Sequence, residues 1–142
     1  MTLQWEENLR VGVPVIDEQH ENIFAHFDTL SEALEGGKGS EEVIEALTYL
    51  NMYATTHFSD EENLMALYKY DGLDEQRQQH ATFKENIAAL SRLLAASAPT
   101  KEIAIKIDAT LIRYFINHVR RLDRKMAEFI KPFMATPIPS KE

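Results

Sequence analysis

The stretch Ile16-Asp17-Glu18-Gln19-His20-Glu21-Asn22-Ile23-Phe24-Ala25-His26-Phe27-Asp28-Thr29-Leu30-Ser31-Glu32-Ala33-Leu34 decides the fold. Along it Ile16, His20, Ile23, Phe27, Leu30 and Leu34 recur at alternating steps of four and three, which puts them on one face of an α-helix. Asp17, just before the run takes hold, can cap the helix start.

The same repeat returns three times downstream. A second seam runs Val43, Leu47, Leu50, Ala54, His57, Glu61, Leu64, Tyr68, with Ser40 as its cap; a third runs Leu73, Gln76, His80, Phe83, Ile87, Leu90, Leu94, with Asp74 at its start. The fourth spans about Thr100 to Phe129 and turns Ala104, Ile107, Leu111, Tyr114 or Phe115, His118 and Leu122 inward. Turn residues separate them: Gly12 with Pro14, Glu35-Gly36-Gly37-Lys38-Gly39, Tyr70-Asp71-Gly72, Ser97-Ala98-Pro99, then Pro132, Pro137 and Pro139. Four long amphipathic helices with short connections predict an all-α fold, an up-down-up-down antiparallel four-helix bundle. Residues 1–15 lack the helical repeat and are expected as an extended N-terminal arm packing Trp5 and the valines on the bundle of residues 16–131. Residues 132–142 read as a Pro-containing, loosely held tail.

Composition narrows the chemistry. The 142 residues contain no Cys, which excludes disulfides, thiolate metal sites and thiol nucleophiles. With 15 Lys plus Arg against 23 Asp plus Glu, the net charge of −8 opposes a nucleic-acid partner. The basic group Arg120, Arg121, Arg124 and Lys125 falls near a helix end, where cations complement the helix dipole. The N-terminus has neither a basic nor an apolar leader segment, and no apolar run is long enough to span a membrane, so a cytoplasmic location is expected.

Every seam carries a polar group at an apolar position: His20; His57 with Glu61; Gln76 with His80; His118. Singly, each reads as an ordinary core or boundary residue. Together they place four of the five histidines inward, one per helix, with a carboxylate that demands a cation if buried. His26 lies about 120° from the first seam and reads as a solvated or boundary residue. His57 and Glu61, and likewise Gln76 and His80, are i, i+4 pairs that share a face. Asp123 follows His118 by five, about 140° round an ideal helix, so spacing alone leaves it open between ligand and surface charge. Imidazole and carboxylate without thiolate suit iron, manganese, zinc or copper, and the number of groups exceeds what one tetrahedral zinc takes. A two-metal site fits better.

These residues resemble the hemerythrin family, and within it the single-domain bacterial hemerythrins. The likeness rests on Trp5, Leu9, Val11-Gly12, Ile16-Asp17, Gln19-His20, His57-Phe58, Glu61-Glu62, Met65, His80, Phe83, Asn117-His118-Val119 and Leu122-Asp123, in order over residues 5–126. It implies a non-haem di-iron centre with an oxygen bridge and reversible O2 binding, for storage, delivery or sensing. Carried over by position, His20 and His57 would ligate one iron, His80 and His118 the other, and Glu61 and Asp123 would bridge. Glu62 follows the bridging Glu but points off the seam and is left out of the site.

Two positions depart from the family pattern. Tyr114 stands where Trp is usual, and Gln76 replaces the first His of the pair on the third helix. Gln76 can supply its amide oxygen as a weaker ligand than imidazole, swing away and admit water, or hydrogen-bond to a bound water. Each can open a second exchangeable site and with it a second reading, a di-iron redox enzyme, a peroxidase or oxidase or a nitric oxide scavenger. Ile23, Phe24, Phe115 and Val119 flank the expected ligands and are candidates for an apolar O2 pocket, or simply core.

Overall fold

A computed structural model describes residues 7–135. After a short 3-10 turn, Glu7–Leu9, come α1 (Pro14–Glu35), α2 (Ser40–Leu67) and α3 (Leu73–Ala96). The fourth helix, α4, covers residues 101–135 as five consecutive helical pieces. Lys101–Ile107, Arg113–His118 and Arg124–Ala135 are α-helical, while Asp108–Ile112 and Val119–Asp123 are π-helical. At 1.5 Å per residue α2 is about 42 Å long, whereas a link of four or five residues reaches at most about 18 Å. Links 36–39, 68–72 and 97–100 therefore cannot return the chain to the start of a helix, and neighbours run antiparallel. The result is the expected four-helix bundle: α1 packs on α2, α2 on α3 and α3 on α4. Phe24 and Phe27 of α1 meet Phe115 of α4 at ring-centroid distances of 5.8 and 5.7 Å and close the ring of helices.

The seams are the core. Ile16, Ile23, Phe27, Leu30, Val43, Leu47, Leu50, Ala54, Phe83, Ile87, Leu90, Leu94, Ile107, Leu111 and Phe115 are all buried. Leu34, Leu64, Tyr68 and Leu73, all close to helix ends, are half-buried. On α4 it is Phe115 that enters the core, while Tyr114 is half-buried on its flank.

The ends differ from the sequence expectation in instructive ways. Helix α1 begins at Pro14, whose fixed φ suits the first helical position, and Val13 is the N-cap. Asp17 is therefore already inside the helix; its buried carboxylate reaches back to the Val11 and Gly12 amides at 2.7 and 3.1 Å and fixes the arm. Val11 and Val13 are buried as expected, but Val15 is on the outer face and half-exposed. Gly39, not Ser40, is the N-cap of α2, and the Ser40 hydroxyl instead donates to the Ser97 carbonyl across the bundle end. Gly72 precedes α3, leaving Asp74 in its first turn. Among the described residues only Thr100 caps by its side chain, accepting from the Ile103 amide at 3.2 Å.

At the other end α4 runs through Pro132 to Ala135, past the point where the repeat suggests a tail. Aromatic packing carries it: Phe133 stacks on Tyr68 at 5.6 Å and Phe129 meets Tyr70 at 5.1 Å. Trp5 and residues 136–142 lie outside the described residues. No helix among the described residues is long and apolar enough to cross a membrane.

Candidate metal centre

His20, His57, Glu61, Gln76, His80, His118 and Asp123 are all buried, in the midst of the four helices. Helix α1 supplies His20, α2 supplies His57 and Glu61, α3 supplies Gln76 and His80, and α4 supplies His118 and Asp123. The last pair is brought together by the π-helical turn Val119–Asp123, whose wider i→i+5 pitch lets side chains five apart stack. An ideal α-helix would have turned Asp123 away.

The side chains form two overlapping clusters. His20, His57, Glu61 and Asp123 make one, Glu61, His80, His118 and Asp123 the other, and within each the ligand-type atoms lie within 4.8 Å of one another. Both carboxylates are shared, one oxygen to each side. Glu61 Oε2 is 3.4 Å from His20 Nε2 and 3.2 Å from His57 Nε2, while Glu61 Oε1 is 3.2 Å from His80 Nε2. Asp123 Oδ2 is 3.1 Å from His20 Nε2, and Asp123 Oδ1 is 3.1 Å from His118 Nε2.

Three of the rings are oriented from behind. His57 Nδ1 lies 2.7 Å from Gln19 Oε1, His80 Nδ1 lies 2.8 Å from Glu62 Oε2, and His118 Nδ1 lies 2.8 Å from Gln79 Oε1. The Gln19 amide donates its Nε2 to Asp60 at 2.8 Å, so its oxygen faces the ring and His57 Nδ1 carries the proton. Glu62 only accepts, which fixes His80 the same way. In the neutral rings Nε2 then presents a lone pair to the centre. Glu62 thus belongs to the site despite lying off the seam, and Gln19 and Gln79 were equally unsignalled by periodicity. Each of these three sits one residue from a centre residue of its own helix and serves an imidazole on the next helix. His20 differs: its Nδ1 has no hydrogen-bond partner among the described residues, and its ring packs edge-on against Phe115 at 5.6 Å.

These residues fit metal. The Nε2 atoms of all four histidines, both Glu61 oxygens and Asp123 Oδ2 are buried without a hydrogen-bond partner, a costly arrangement unless a cation satisfies them. Two donors at right angles on metal bonds of about 2.1 Å are about 3 Å apart, which matches the edges measured between the imidazoles and the carboxylates. Without a cation the charges lean on each other. Burial works against a protonated His20, but Asp123 and Glu61 outweigh it and push its pKa up to about 9. Burial and Glu61 work to raise the Asp123 carboxyl, yet His118 and His20 hold it at about 2. Burial opposes ionised Glu61 as well, and the surrounding histidines, His57 foremost, keep its pKa well below the usual carboxylate range.

Gln76 is buried beside the second cluster with its Nε2 donating to Asp123 Oδ1 at 3.0 Å. Ile23, Phe24, Phe115 and Val119 are all buried, and Phe115 faces both His20 and His57, the latter at 6.4 Å. His26 is outside the centre, half-buried and tilted against Tyr53 at 5.3 Å. A 440 Å³ cavity between α1 and the start of α4, lined by Leu34, Ala104, Ile105 and Ile112 among others, includes none of the cluster residues.

A two-cluster centre of four histidines and two shared carboxylates in a four-helix bundle fits the class of metal-binding helical-bundle proteins. The family model for the hemerythrin HHE cation binding domain matches residues 11–130. The chain belongs to the hemerythrin family. It is 26% identical over 139 residues to a bacteriohemerythrin of Pseudomonas paraeruginosa, covering 98% of this chain and 88% of that one. It is also 29% identical over 122 residues to a myohemerythrin of Theromyzon tessulatum, covering 86% and 88%. A solved crystal structure of a leucine-to-phenylalanine mutant shares the fold at a TM-score of 0.78 and 21% identity, covering 92% of this chain and 98% of that one.

Proposed function

We propose that the chain holds two iron ions between its helices and binds O2 reversibly, for storage, delivery or sensing. In this reading His20 and His57 hold one ion, His80 and His118 the other, and Glu61 and Asp123 join them. The observation that carries it is the division of both carboxylates, one oxygen toward each pair of imidazoles. Two irons with an oxygen bridge would supply the electrons for reversible O2 binding. The protein's own part is to orient three imidazoles through Gln19, Glu62 and Gln79, and to confine two negative charges where no water reaches them. Ile23, Phe24, Phe115 and Val119 form the apolar wall of the O2 pocket, and Phe115 shields the His20 and His57 side from water.

The test is iron analysis followed by the optical spectrum of the reduced protein before and after air. Two irons per chain and a spectral change that reverses on removing O2 support the reading; one metal per chain, or a change that never reverses, opposes it. Gln76 favours a second reading, a di-iron redox enzyme of the peroxidase, oxidase or nitric oxide scavenging kind, because it stands at the centre without bringing an imidazole. Sustained turnover of peroxide with a reductant would favour that reading over the first.

A further inference from the structure

Gln76 is the one amide in the cluster, and its two ends have different fates. Its nitrogen lies 3.0 Å from Asp123 Oδ1. Since a carboxylate only accepts, the atom there is the NH2, and the carbonyl oxygen of the same planar group points elsewhere. That oxygen is buried and has no hydrogen-bond partner among the described residues.

The two sides of the centre then have equal sets of protein donors. His20, His57, Glu61 Oε2 and Asp123 Oδ2 face one position; His80, His118, Glu61 Oε1 and Asp123 Oδ1 face the other. An ion with six donors, four from protein and one shared oxygen, keeps one place to fill on each side. We infer that both metal positions keep an exchangeable place, so that the pair takes two small ligands, such as linear anions, and not one. Gln76 is a positioning residue here: it pins Asp123 through Nε2, and its Oε1 accepts from the water that fills the second place until a ligand displaces it.

This inference rests on the di-iron reading above and specifies the ligand capacity of that centre. Azide is the probe, titrated calorimetrically into oxidised protein after iron content has been measured. Wild type is expected to take two equivalents per chain. Gln76→His, which adds a third imidazole beside His80, is expected to take one. Gln76→Leu should still take two, the second bound up to about tenfold more tightly because the displaced water has lost an acceptor. One equivalent in wild type with two in Gln76→Leu would make Gln76 a direct metal donor and overturn the inference. Two equivalents in Gln76→His would overturn it as well.

A second measurement needs no variant. In wild type loaded with cobalt(II), azide entering each place changes that ion's visible absorption, and the spectrum should change in two steps; a single step counts against the inference. Iron below two per chain is seen before any azide is added and overturns the di-iron reading together with this one.

Discussion

Asp123 Oδ1 stands 3.1 Å from His118 Nε2 although Asp123 lies five positions further along the chain, because the intervening turn is π-helical. A π-turn is an α-helix with one residue too many, accommodated by i→i+5 bonding. Deleting Arg121, which is exposed on the outer side of the turn, should convert it to α-helix and bring His118 and the aspartate to an i, i+4 spacing that still shares a face. Two metals per chain are expected to remain in the deletion variant and to be lost in Asp123→Ala. Metal loss on deleting Arg121 would mean that the wide turn itself is required.

That turn marks the limit of what periodicity reveals. Steps of three and four placed His20, His57, Glu61, Gln76, His80 and His118 on inward faces, since an α-helix leaves little choice about which residues share a side. Asp123 stayed open because its position depends on a local departure from that geometry, which the family likeness resolved and the repeat could not. The partners at Nδ1 were invisible for another reason. Gln19, Glu62 and Gln79 act across helix boundaries, so their role depends on how adjacent helices are rotated, which is a property of packing. The extension of α4 through Pro132 has the same origin, in ring contacts with Tyr68 and Tyr70 from another part of the chain.

Inward and outward histidines should separate cleanly in metal content. Glu61→Ala removes a carboxylate shared by both clusters, and His118→Ala removes one of two imidazoles on its side. Each should abolish stable metal retention after desalting. His26→Ala should keep the full metal content, since that ring packs only at the rim against Tyr53. Metal loss in His26→Ala would show that α1 is rotated from the arrangement described.

Glu62 should tune affinity without being a ligand. Its Oε2 accepts from His80 Nδ1 at 2.8 Å and holds that ring in the tautomer whose Nε2 faces the centre. Losing such a partner typically weakens metal binding about 10- to 100-fold. Chelator competition is therefore expected to show a loss of that size in Glu62→Ala and a smaller one in Glu62→Gln, which can still accept. An unchanged affinity in both would reduce Glu62 to a surface partner of Arg77, whose Nε donates to Glu62 Oε1 at 3.4 Å.

The metal-free protein should lose stability as pH rises. His20 has its pKa raised from 6.5 to about 9 by Asp123 and Glu61 against the opposing effect of burial, so the folded state binds the proton more tightly than the unfolded one. That contribution is fully present below pH 6.5 and lost as pH passes through about 9, an effect on the order of 3 kcal/mol. Asp123, lowered from 3.8 to about 2, acts at the other end: its contribution is present above 3.8 and lost as pH falls through about 2. Denaturant midpoints of metal-free protein should therefore decline from pH 6.5 to 9. Metal-loaded protein should decline less there, because the ion replaces the proton. Parallel curves for the two forms would remove His20 from the coupled cluster.

Lys69 offers a test of the scaffold alone. Helix α2 ends with the Tyr70 amide on the Met65 carbonyl at 2.9 Å and the Lys69 amide on the Ala66 carbonyl at 3.2 Å, a Schellman ending. Helix α1 ends likewise, with Lys38 on Ala33 and Gly37 on Leu34 at 3.0 and 3.3 Å. The left-handed residue is Gly37 at the end of α1, at φ 68°, but Lys69 at the end of α2, at φ 56°. A side chain in that region costs roughly 1–2 kcal/mol, and glycine avoids it while adding backbone entropy to the unfolded chain. Lys69→Gly should then stabilise the fold by a net of up to about 1 kcal/mol, read as a higher denaturant midpoint at unchanged slope. The turn leads directly into α3, with the Gly72 carbonyl accepting from the Gln76 amide at 3.1 Å, so metal content is the necessary control. Equal metal content with a higher midpoint supports the strained ending, whereas a lower midpoint would show that the Lys69 side chain contributes more than its backbone costs.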